Sequence, residues 1–115
     1  MMLRESGRDV EGLNLHAIVK GSGTFSGVPC GEELVAFVEA ALTGTPELAT
    51  ARQAAADALG AQALVDAAAV IGNFQRMTRI ADSTGIAVDE RTAVVTEGMR
   101  AELGLNEFVS ARLPL

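Results

Sequence analysis

One stretch constrains the fold more than any other: Ala61 to Gly85, AQALVDAAAVIGNFQRMTRIADSTG, which contains no proline. At about 100° per residue, Leu64, Ala67, Ala68, Ile71, Phe74, Thr78 and Ala81 form one stripe of apolar and small residues. Val65, Ala69, Val70, Met77 and Ile80 occupy other faces, so apolar residues go most of the way round. A helix of that kind is central in its fold or pressed between subunits. The pattern predicts one long central helix from Ala61 to about Ser83, with Gly85 as its C′ residue. Gly72 sits in its middle, where glycine costs about 0.5–1 kcal/mol relative to alanine. A close helix crossing at Gly72 is the expected reason for it.

The rest of the chain suits an all-α class, a small helical bundle of one domain. Residues 1–13 are charged and lack clear periodicity, which leaves a frayed tail, a short helix or a partner contact open. NLHAIVK, Asn14 to Lys20, is a short apolar piece that reads as helix or strand. Gly21 to Gly31, GSGTFSGVPCG, is a loop by its glycines and proline. Residues 1–31 therefore form an N-terminal segment and glycine-rich loop, followed by a helical domain over 32–115. Its first helix spans Glu32 to Leu42 and is stopped by Gly44. Thr45 is placed to cap the next helix, with Pro46 at its first position; this helix runs to Leu59 before Gly60. After the long helix, Asp89 caps another that reaches Leu103, and Asn106 is expected to cap a last turn over EFVSAR.

Hydrophobic residues make up 49% of the chain, yet there is no Trp or Tyr and only four Phe: Phe25, Phe37, Phe74 and Phe108. Alanine dominates, so each helix contact buries little area. A second copy is the expected completion of such a core, which predicts a homo-oligomer, with a dimer favoured. The net charge of −6 opposes binding to a phosphate backbone and argues against nucleic acid. No apolar run is long enough to span a membrane. The N-terminus, MMLRESGRDVEG, lacks a signal-peptide core, and the lone Cys30 suits a reducing compartment; both point to the cytoplasm. Eight Arg against one Lys reads as high-GC bacterial coding rather than as chemistry.

The long helix carries the candidate ligand contacts. Asp66, Asn73 and Arg76 share one broad sector; Gln75, Arg79 and Asp82 share another, with Gln75/Arg79 at i,i+4 and Arg79/Asp82 at i,i+3. Arg76 or Arg79, with Asn73 nearby, is suited to clamp a small anion, since guanidinium binds carboxylate in bidentate fashion. The competing role is structural, tying the helix by ion pairs to neighbouring helices or to a second subunit. Cys30 and His16 are the other candidates. Cys30 precedes a helix whose dipole favours thiolate, though Glu32 and Glu33 oppose it. His16 would serve as its base only if the glycine loop folds back. One His and one Cys fall short of a zinc site, and GSGTFSG lacks the ending of a phosphate loop, so no metal and no cofactor is expected.

VDAAAVIGNFQRMTRIADSTGI resembles the last long helix of the AhpD-like superfamily, which includes carboxymuconolactone decarboxylases and peroxidase-related proteins. Arg79, Ile80, Ala81 and Asp82 match that helix's ending, with Thr78 where the family usually has Asn. The resemblance covers Glu32 to Gly85 and implies an AhpD-like helical fold. Active thiol peroxidases of the superfamily use a Cys-x-x-Cys pair on an earlier helix, and this chain has a single cysteine. The resemblance thus implies the C-terminal half of such a domain or a degenerate relative, with no catalytic residue carried over. The expected function is a non-catalytic, oligomeric AhpD-like helical protein that binds a small anionic ligand. Two alternatives stand beside it. One is a single-cysteine thiol peroxidase using Cys30 and His16. The other is an interaction subunit of a split AhpD-like complex.

Overall fold

The computed structural model describes residues 13–20 and 26–108. Among these, five α-helices occur: α1 (Leu15–Lys20), α2 (Gly31–Thr43), α3 (Leu48–Leu59), α4 (Ala61–Thr84) and α5 (Glu90–Glu102). A 3₁₀ turn, Leu105–Glu107, follows α5. No strand occurs among the described residues, and the fold is all-α. The short NLHAIVK piece is helical from Leu15. The long helix matches its expected extent and ends one residue later, at Thr84. Gly85 closes it at φ 64°, with the Gly85 N–H donating to the Ala81 carbonyl.

Two caps differ from expectation. Thr45 does not start a helix. Its carbonyl accepts from Leu48 N at 3.0 Å, an i,i+3 bond that winds the first turn too tightly for an α-helix, and α3 begins at Leu48. The Thr45 hydroxyl is used on the Glu47 side chain instead. With the Glu47 backbone N–H, which has the larger effect, it holds the Glu47 carboxyl below its ordinary value. Asn106 lies inside the 3₁₀ turn and not at its cap. Gly104, at φ 68°, opens the Leu105–Glu107 turn and Phe108 is already extended; residues beyond 108 lie outside the described part. The Asp89 cap is present: its carboxylate accepts from Thr92 N at 2.9 Å. The Thr92 hydroxyl and then that N–H hold the Asp89 carboxyl below its ordinary value.

The core lies at the α2–α3 hairpin. Phe37, Ala40 and Ala55 are buried there, and Ala17 of α1 is fully buried. Phe37 is the one large side chain in this set, as the alanine-rich composition predicts. α2 packs on α3, and both contact α4. Gly60 alone separates α3 from α4, at φ 86° and ψ 161°, a conformation essentially restricted to glycine. The start of α1 is tied to the approach to α2 by Asn14 N donating to Ser26 O at 2.7 Å. Ser26 is buried, and its hydroxyl accepts from Val28 N at 3.2 Å. A Cβ at Gly31 would collide with that hydroxyl, so α2 starts on the one residue that leaves it room.

Length decides what α4 can cover. Its 24 residues rise about 36 Å, against about 20 Å for α2 and 18 Å for α3. Its half-buried positions, Ala63, Leu64, Ala67 and Ile71, all lie in the first half, apart from Ala81. Beyond Ile71 the helix overruns the hairpin. None of its residues is buried. The expectation of a central helix is corrected in that respect: within one chain α4 is long but largely uncovered.

Candidate functional site

The uncovered part of α4 is the most distinctive surface among the described residues. Phe74 is 62% exposed, Val70 56% and Met77 50%, with Val65 and Ile80 comparable. Phe74 belongs to the stripe that Leu64, Ala67 and Ile71 turn toward the hairpin, but the hairpin does not reach it. Val70, Phe74 and Met77 share one side of the helix, so they leave an apolar patch in water rather than scattered single residues. Ile86 and Val88 in the following link, and Val94 and Val95 on α5, are exposed as well.

The close crossing expected at Gly72 is not made among the described residues of one chain. A Cβ at Gly72 would meet nothing within 4 Å, so no described helix crosses there. The helical cost of this glycine is not offset by any packing inside the chain.

The polar residues of α4 largely bond within the helix. Arg76 Nη2 donates to Asn73 Oδ1 at 2.9 Å, and Asn73 Nδ2 donates to Met77 Sδ at 3.7 Å. Arg76 and Asn73 are therefore brought together, and Arg76 is occupied by a neutral oxygen. Gln62 Nε2 donates to Asp66 Oδ1 at 3.0 Å. Arg79 makes neither of the contacts expected of it with Gln75 and Asp82. It lines a shallow hollow of about 300 Å³ with Gln75, Thr78, Asp82 and Ser83. Among the described residues, neither arginine ties α4 to another helix.

Cys30 and His16 are not paired. Cys30 is the N-cap residue of α2, held at φ 54° and ψ 29°, and is the one non-glycine with positive φ among the described residues. Its Sγ faces the Ala58 carbonyl of α3 at 3.9 Å. His16 Nε2 lies 3.4 Å from Glu102 Oε1, linking α1 to the end of α5. Both side chains of that pair are about half exposed, so it adds little stability. Sequence reasoning could not find this contact, which joins residues 86 apart.

A second groove, of about 350 Å³ and almost wholly apolar, lies between α1 and α2 and is lined by Ile18, Val28, Leu34, Val35, Val38 and Leu42. Among the described residues no three of His, Cys, Asp and Glu gather as a metal site requires, and no helix is long and apolar enough to cross a membrane. The signal that sequence reasoning missed is the 3-4 spacing of Ala67, Val70, Phe74, Met77, Ala81 and Thr84, which places these six on one side of α4. Compared with known proteins, the chain matches no family model, no curated protein and no solved structure.

Proposed function

We propose that this chain is a non-catalytic assembly protein, a helical subunit that self-associates through α4, as a degenerate relative of the AhpD-like proteins its long helix resembles. One observation carries the reading: α4 buries none of its residues while Val70, Phe74 and Met77 stand half or more exposed. Exposed side chains of this size are each worth about 1.5–3 kcal/mol when covered, a strong drive to association. The separation of Cys30 from His16 supports this reading over a single-cysteine peroxidase, because neither group activates the other. Light scattering tests it. The 11.9 kDa chain is expected at twice its mass at micromolar concentration, and Phe74→Glu at the monomer mass with its helical circular dichroism retained. A parent protein that runs as a monomer overturns the reading.

The hollow at Arg79 supports the small-anion part of the function. Among the described residues its guanidinium makes no ion pair, although Asp82 on the same rim opposes a dianion. Acetate, a monocarboxylate, is expected to raise the melting temperature of the parent and not of Arg79→Gln; equal shifts in both remove this role.

A further inference from the structure

We infer that two copies pair through an antiparallel seam along α4, with Phe74 of each lying against Met77 of the other; the inference rests on the self-association proposed above and adds its face and direction. Ala67, Val70, Phe74, Met77, Ala81 and Thr84 repeat at spacings of three and four, which keeps them on one side of a helix facing a partner helix. The chain's own hairpin covers the start of this line and leaves it open from Val70 to Met77. Gly72 lies on the opposite side of α4, so the seam does not use it.

Direction follows from where the hairpin sits. In a parallel pair both α2–α3 hairpins would crowd one end, and Ile86 and Val88, exposed at the other end, would stay in water. In an antiparallel pair with Phe74 level with the second copy's Met77, Val70 is level with Ala81 and Ala67 with Thr84 of that copy. Each hairpin then lies beside the other copy's Ile86 and Val88 and removes them from water. Large residues also meet small ones across the seam, Val70 against Ala81, as knobs-into-holes packing favours. Phe74 against Met77 adds a thioether–ring contact. Opposed helix dipoles favour the same direction.

The area is sufficient. Val70, Phe74, Met77, Ile80, Ile86 and Val88 are each about half exposed or more. At roughly 100 Å² apiece they supply about 600 Å² of apolar surface per protomer. A standard interface takes about 800 Å² from each partner, and homodimer interfaces are about 65% apolar, so these six residues account for most of the requirement.

Disulfide trapping tests this in the full chain. Val70→Cys and Ala81→Cys are made separately on a Cys30→Ser background, mixed, oxidised gently and resolved by intact mass. The expected product is the mixed disulfide between the two variants. Two copies of residue 70 lie about 16 Å apart along an antiparallel pair, beyond the reach of about 7 Å between Cα atoms, so homodisulfides are excluded. Homodisulfides in place of the mixed product overturn the direction. No disulfide from dimeric variants overturns the seam while leaving self-association intact. Monomeric parent and variants overturn both.

Discussion

The α2–α3 hairpin and the outer half of α4 carry similar apolar side chains and deal with them in opposite ways. Phe37 is 5% exposed and Phe74 62%. The difference is one of length and connection, not of composition. A four-residue link, 44–47, holds two helices of nearly equal length side by side, so each covers the other. α4 is about twice as long as either helix it packs on, and its second half outruns them. Apolar content thus shows how much surface a helix could bury, and the neighbours' lengths decide how much it does bury within one chain.

Truncating the two phenylalanines gives the largest contrast. Phe37→Ala is expected to cost about 3 kcal/mol in urea unfolding, as a core cavity does. Phe74→Ala is expected to change the stability of the dilute monomer by less than about 0.5 kcal/mol, as a surface change does, while weakening self-association at least tenfold. Equal costs for the two at low concentration would erase the distinction between the regions. Gly60→Ala comes next. It forces a side chain into a backbone region closed to it, at about 1–3 kcal/mol, and disturbs the angle at which α4 leaves the hairpin. A melting temperature equal to the parent's would show that the joint is not needed to place α4.

Gly72→Ala is expected to stabilise the chain by about 0.5–1 kcal/mol through helix propensity, with self-association unchanged, because a Cβ there meets nothing and lies away from the seam. Loss of the assembled form in this variant would move the interface to the opposite side of α4. The smallest effect is at Asp89. Its folded-state pKa is depressed, so the cap contributes stability above the ordinary aspartate value of about 3.9 and loses it as pH falls through the lower folded value. Asp89→Ala is expected to melt below the parent at neutral pH, with the gap closing in strong acid. A constant gap across that range would assign the difference to something other than the carboxylate.

Much of the fold was legible in residue order. The extent of α4, its Gly85 stop and the Asp89 cap all follow from local chemistry acting within a few residues. The Thr45 cap failed because two local bonds competed, and the Thr45 hydroxyl went to Glu47. The candidate site was less legible. Asn73 and Arg76 are one helical turn apart and do meet, as their spacing allows. Cys30 and His16 pair only as a chemical type, thiol and base, and their partners, Ala58 and Glu102, lie 28 and 86 residues away.

Residue order by itself determined the helical class, most helix ends and the apolar periodicity of α4, because these depend on backbone conformation and contacts within one or two turns. Only the tertiary structure decided that Phe37 is covered and Phe74 is not, that Gly72 faces open space, and that the rare thiol and imidazole do not bond to each other. Those outcomes depend on where helices of unequal length come to lie against one another, and that placement is set by the joints between them, such as the glycine-only conformation of Gly60.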